Sequence, residues 1–398
     1  MGGFFTRERF STPQFLAGLL LLVFMGECFW LVAHLSSSAI AANEMVRVQE
    51  GLAQWRGKGI AGTALSAVGP ANWADPGNAT RSPLWYLIES APLALLRVSP
   101  QSPAWICLSR APYILIGALL GASLWYVSRR LYGNAGGYVA LTLYCFSPTV
   151  IRSSALWFAE PNLPGAWGTF GAVFTAIAVS HTLYAPREVI LWNWRRIVLL
   201  AVSLALAVGT HFGLIVVLPL LPLFMLYLAP ARKVAALLIL FAACLIAAVL
   251  LLAAYFFHAG LFWQALAQAR FLDVSVRAPG MSGAYLQVAK EVAAFGPVLA
   301  ALAPAALLTY AVWPRTRYFG NTAPLLASLL LLELRVASPH EVESVFSLAG
   351  TIFLLVFVAG IAADLLESRR RDLCLAIVTA LLAANALWNL KGLAGIAS

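Results

Sequence analysis

A chain of 398 residues with 62% hydrophobic and 11% charged residues, a formal charge of +10 and a mean hydropathy of +0.85 is an integral membrane protein. That balance excludes a soluble domain built on one large core, and the residue-by-residue alternation of a membrane β-barrel is absent. The basic residues close off apolar runs, so the surplus charge reads as retention on the cytoplasmic side rather than as a surface for nucleic acid.

Arg7 and Arg9 precede an apolar run from about Phe15 to Leu35. The run is longer than a signal-peptide core, so despite the small-residue pattern Ala39-Ile40-Ala41 it is read as a retained first span, about 14–35, entered from a cytoplasmic N-terminus. A long outer segment, 36–105, follows. Within it, Met45, Val48, Leu52 and Trp55 recur at helical spacing, which predicts a helix over 43–57 lying in the interface. Gly, Pro and Asn mark loop from 57 to 83. The run 83–98 opens with Pro83, carries Glu89 and is short for a crossing, so it reads as a juxtamembrane helix.

Span 2 (about 105–127) ends at Arg129-Arg130, and span 3 (135–151) leads to a short loop with Arg152 and Glu160. Span 4 (163–184) returns to an amphipathic linker at 185–197. Spans 5 and 6 (197–211, 213–230) form a hairpin broken at Gly209-Thr210-His211. Span 7 (234–257) and a second outer segment, 258–292, come next. Spans 8 (293–313), 9 (321–335), 10 (345–366) and 11 (373–390) complete the chain. This assignment puts every basic station inside: Arg129-Arg130, Arg187 with Arg195-Arg196, Arg232-Lys233, Arg315 with Arg317, and Arg369 to Arg371. The expected fold is all-α, a polytopic bundle of about eleven transmembrane helices with outer juxtamembrane helices. Residues 1–230 form its core, and 231–398 add C-terminal spans with no soluble domain. Cys28, Cys107, Cys145, Cys244 and Cys374 lie singly in apolar segments, without the spacing of metal ligands, and read as packing residues.

Polar residues at the ends of such spans carry the chemistry. Asn43-Glu44 follows span 1 and Glu160 precedes span 4. If spans 1, 3 and 4 pack together, their loops bring carboxylates to one place, as a general base or as ligands of a divalent cation; the plain alternative is two acids at the water boundary. Arg81 either holds a phosphate or anchors the surface, and His211 either meets a phosphate or is a hydrogen-bonded loop histidine. Arg335, His340, Glu341 and Glu343 crowd the end of span 9, where they bind a polar head group or pair with one another; Arg152 has the same two readings. Glu27 sits inside span 1, where ionisation is costly.

The order of these pieces resembles the GT-C membrane glycosyltransferases, especially bacterial relatives of protein O-mannosyltransferases and of the lipid A aminoarabinose transferase. The resemblance covers roughly residues 14–230. It rests on the Asn43-Glu44 pair leading a helix to Gly51, and on Arg81-Ser82-Pro83-Leu84-Trp85-Tyr86 opening a juxtamembrane helix. It rests further on Arg110-Ala111-Pro112, on Arg129-Arg130-Leu131-Tyr132-Gly133, on Ser147-Pro148 with Glu160 a dozen residues on, and on a basic residue, His211, in the 5–6 hairpin. The resemblance implies an enzyme of the plasma (inner) membrane with its site on the outer, periplasmic face. It would move a sugar from a polyprenyl-phosphate donor to an acceptor hydroxyl on a lipid, glycan or protein, with inversion. It implies Glu44, Glu160 and the Asn43 position as catalytic and Arg81 and His211 as contacts of the donor phosphate; Arg335 and His340, beyond its span, are expected as further phosphate contacts from their place at the end of span 9. Any divalent cation would sit on Glu44 and Glu160; no nucleic-acid partner is expected.

Three positions depart from the family pattern. Asn43 stands where it has Asp, Arg81 where it has His, and His211 where it has Lys. Asn cannot serve as a general base at neutral pH. A non-catalytic relative that binds a lipid carrier, and a transporter or flippase of lipid-linked sugars, are therefore the alternatives.

Overall fold

The computed structural model describes residues 12–34, 42–56, 82–99, 102, 104–155, 162–184, 194–269, 274–275, 277–338, 344–368 and 370–397. Among these residues the protein is helical throughout, with no strand. In hydrocarbon each backbone polar group must be satisfied within its own segment, so apolar runs of this length fold as helices. Among the described residues, seven helices are long and apolar enough to cross a membrane, or eight if one bent pair counts as a crossing. That is fewer than the eleven expected, because several expected spans are short or broken.

α1 (Thr12–His34) is followed by α2 (Ala42–Trp55) and α3 (Leu84–Leu96). With 13 residues, α3 is about 20 Å long and does not cross a bilayer alone. α4 (Ala104–Cys145) is two legs folded back at Gly133, whose φ of 74° and ψ of −173° suit only a residue without a side chain. Tyr144 Oη donates to Gly117 O at 2.7 Å and ties the legs together. The second leg breaks at Phe146-Ser147 and resumes as α5 (Pro148–Ala155).

α6 (Asn162–Thr182) and α7 (Trp194–Thr210) pack backbone to backbone. Apolar association gains little inside a lipid phase, so close approach of small residues drives such pairs. Gly168 shows it: a Cβ there would run into the backbone of Ala207. A 3-10 turn (Phe212–Val217) and α8 (Leu220–Leu228) complete the hairpin. α9 (Lys233–Ala254) and the short α10 (Ala259–Gln268) follow. α11 (Ser282–Ala293) meets α12 (Pro297–Val312) at a bend of 117°. α13 (Phe319–Ala337), α14 (Ser344–Leu366) and α15 (Arg371–Ala397) end the fold.

α14 is the axis of the molecule. It is apolar on every side and wholly covered by α4, α6, α12 and α13, the environment such a helix requires. α9 and α15 are the opposite case, apolar and mostly exposed, as lipid-facing helices are.

The basic stations gather at one end. Tyr132 Oη donates to Gly320 O at 2.6 Å, which joins the α4 turn to the start of α13. Tyr227 stacks on Phe319, Tyr184 Oη accepts from Ala231 N, and Arg315 pairs with Glu367 at 3.1 Å. These contacts draw Arg129-Arg130, Arg232-Lys233, Arg315 with Arg317, and Arg370-Arg371 together. Arg196 Nη1 donates to Ala178 O at 3.3 Å and adds the start of α7 to the same end.

Candidate functional site

The far end of the bundle is built by exchanges among helix termini. The last turn of a helix leaves carbonyls without partners inside the helix. In α7 the carbonyl of Gly209 would receive the N–H of Gly213, but that N–H donates instead to Nδ1 of His211 at 3.1 Å. Ser82 takes the vacated carbonyl twice, through its backbone N at 3.0 Å and its Oγ at 2.7 Å. The residue after Arg81 is thereby pinned two residues before His211.

His211 itself is extended (φ −152°, ψ 112°) and caps the 3-10 turn. A ring whose Nδ1 accepts a hydrogen bond is neutral and carries its proton on Nε2. With 1% of its surface exposed, it lies edge-on to Phe346 at the start of α14, ring centroids 5.8 Å apart. Asn162 Nδ2 donates to Ser344 Oγ at 2.7 Å and ties the start of α6 to the start of α14. Gly165 lies against Thr210, Leu214 and Val345, which closes the group.

These contacts hold the ends of three chain segments that carry expected site residues. Glu160 comes two residues before Asn162, His340 four before Ser344, and Arg81 one before Ser82. Arg81, Glu160 and His340 themselves lie outside the described residues. Asn43 and Glu44 fall in the first turn of α2, where only the backbone is described. α2 turns its apolar stripe onto α3 rather than onto lipid: Val48 and Leu52 are buried with Trp85 and Tyr86, and Trp55 Nε1 donates to Leu87 O at 3.0 Å.

Arg335 stands at the end of α13. Its Nε and Nη2 donate to the two carboxylate oxygens of Glu291 at 3.1 and 2.6 Å, and its Nη1 to Ser338 O at 2.7 Å. The bidentate edge a phosphate would use is therefore held by a carboxylate. Two further charges belong to this half of the molecule: Glu89 on α3 and Arg110 on α4, both buried in the layer around Trp85, Trp105 and Tyr113. Burial of charge demands compensation, and a charge inside an apolar run was the sequence signal for each. No group of three His, Cys, Asp or Glu side chains gathers among the described residues in a way that would hold a metal.

No family model and no curated protein matches the sequence. The fold does have solved counterparts. The oligosaccharyltransferase of Archaeoglobus fulgidus, solved with zinc and sulfate, aligns over 78% of this chain and 44% of its own with a TM-score of 0.51 and 13% identity. The same organism's oligosaccharyltransferase AglB, solved with an inhibitory peptide and a dolichol-phosphate, aligns over 79% of this chain and 47% of its own, again at 0.51 and 13%. The chain shares its fold with these two structures over about four-fifths of its length. At this identity the likeness is one of fold, and the chain spans less than half the length of the structures it matches. The first 230 residues supply α1 to α8, including the Ser82–Gly209 junction.

Proposed function

We propose that the protein is a membrane glycosyltransferase that moves a sugar from a polyprenyl-phosphate donor to an acceptor hydroxyl on the non-cytoplasmic face, with inversion. The observation that carries this reading is the junction of Ser82 with Gly209, which holds the start of α3 beside His211 at the end away from the basic stations, in a chain that shares its fold with oligosaccharyltransferase structures. A retained basic end marks the cytoplasmic side of a membrane protein. The proposed site is then extracytoplasmic, in the plasma (inner) membrane.

In this mechanism Glu44 accepts the proton of the acceptor hydroxyl. The oxygen attacks the anomeric carbon from the face opposite the phosphate, the C–O bond to phosphate breaks, and polyprenyl phosphate leaves as an anion. Arg81 and His340 meet the charge that develops on the leaving oxygen. His211 and Arg335 act through the fold, His211 by taking the Gly213 N–H and so leaving Gly209 O to Ser82, and Arg335 by holding α11 against α13. Glu160 orients the acceptor; any divalent cation would be held by Glu44 and Glu160. Asn43, neutral where the family has Asp, leaves Glu44 as the base.

Transfer from a panel of polyprenyl-phosphate sugars, measured on purified protein in nanodiscs, tests the assignment. Consumption of one donor is expected, lowered about 10²- to 10⁴-fold by Glu44→Gln and also lowered by Glu160→Gln. Undiminished transfer by Glu44→Gln would remove the base. Asn43 also favours a second reading, a non-catalytic relative that binds the lipid carrier. Binding without turnover in wild type, with activity appearing in Asn43→Asp, would select it.

A further inference from the structure

A second feature at the same end of the bundle lies apart from the His211 junction. A cavity of about 600 Å³ opens between the end of α5, the bend from α11 into α12, and the last turns of α15. Pro148, Ile151, Pro297, Ala300, Trp388 and Leu393 make its walls apolar. The walls are fixed by hydrogen bonds between elements. Thr149 Oγ1 donates to Ala294 O at 2.8 Å, and Asn385 Nδ2 donates to Phe146 O at 3.2 Å.

The rim is cationic. Arg152 lines the cavity and is exposed, with no hydrogen bond or ion pair to any described residue. Lys290 is exposed in the same way one helical turn before Ala294, on the face of α11 that reaches the cavity. Two carboxylates of this end, among the described residues, are engaged elsewhere. Glu291 is held by Arg335 through both oxygens. Glu27 is buried behind Asn389, whose Nδ2 donates to its Oε2 at 3.3 Å.

On the α15 side the cavity borders surface suited to hydrocarbon, since Leu387, Trp388 and Leu390 are exposed and apolar. An apolar groove open to acyl chains, with cations that no described carboxylate pairs, is complementary to an amphiphile with an anionic head. A guanidinium matches phosphate oxygens two at a time.

We propose that this groove binds an anionic phospholipid of the bilayer, its phosphodiester on Arg152 with Lys290 nearby and an acyl chain along Trp388 and Pro297. None of the residues that line it is assigned to the proposed transfer, and the inference stands whether or not the protein is an enzyme.

Native mass spectrometry of the full chain, delipidated and then given phosphatidylglycerol or phosphatidylcholine with the same acyl chains, tests it. Wild type is expected to keep one phosphatidylglycerol under activation that strips phosphatidylcholine. Arg152→Gln should weaken that retention by about tenfold or more, the value of a charge-assisted contact. Gly392→Trp should abolish it, because Gly392 lines the cavity and a Cβ there meets no atom within 4 Å, so the indole fills the groove without displacing the fold. If Arg152→Gln does not fold, Gly392→Trp decides alone. Equal retention of the two lipids by wild type, or unchanged phosphatidylglycerol retention in the folded variants, would overturn the proposal. Preference for an added polyprenyl phosphate over phosphatidylglycerol would overturn it too and give the groove to a lipid carrier.

Discussion

Arg335 illustrates how a side chain singled out for its charge acquires a structural task. Its local sequence offers Glu341 and Glu343 as partners, six and eight residues away. The structure supplies Glu291, 44 residues earlier, through a contact made only when α11 lies across the end of α13. No periodicity announces such a pair. Arg335 is 5% exposed and Glu291 21%, so removing one partner strands the other in a poorly hydrated place. Such losses cost about 3–5 kcal/mol when burial is complete, and a solvent-touched carboxylate lowers the figure. Arg335→Ala is expected to lower thermal stability in detergent by about 2–3 kcal/mol. Arg335→Met with Glu291→Met should recover much of it. A double variant no more stable than Arg335→Ala would mean that the guanidinium acts mainly through Ser338 and its other contacts.

Among the elements, α2 and α3 show what periodicity can and cannot supply. The spacing of Val48, Leu52 and Trp55 specifies the helix and its apolar face, and the structure keeps both. What the face meets is not legible in that spacing, since lipid and another helix ask for the same side chains. α3 answers with Trp85 and Tyr86, and the Trp55 indole reaches Leu87 O. In the same way, Arg129-Arg130 marks the end of one leg of α4, and the break before α5 and the bend from α11 into α12 fall at Ser147-Pro148 and Gly296-Pro297, where proline marks a boundary but not the direction in which the chain continues. The α2–α3 contact sets where Asn43 and Glu44 begin, so it can be tested apart from the bundle. Leu52→Ser removes a buried side chain and places a hydroxyl there, a local cost of about 2–4 kcal/mol. Amide exchange in α2 should rise while α14, sheathed on all sides, stays protected, and transfer should fall with α2. Full activity with α2 exchanging freely would detach the Glu44 helix from the proposed chemistry.

At the scale of the whole molecule, orientation follows from where the charges collect. Positive residues resist translocation, and here the described basic stations come from five separate stretches of sequence yet meet at one end. The expected site residues belong to segments anchored at the other end, around His211, Asn162 and Ser344. The alternation of charge along the chain is enough to read this division. Which helices lie beside α14 cannot be read the same way, because every span is apolar and only small residues such as Gly168 record a neighbour. If the basic end is cytoplasmic, a cysteine at Asn134, beside the α4 turn, should react with an impermeant thiol reagent only in inside-out vesicles. A cysteine at Gly260, in α10 with open space around it, should react only in right-side-out vesicles. The five native cysteines need replacing first, since Cys107 is exposed. Labelling of both positions from one side would break the two-ended arrangement, and labelling in the reverse sense would put the His211 end in the cytoplasm, where an extracytoplasmic donor could not reach it.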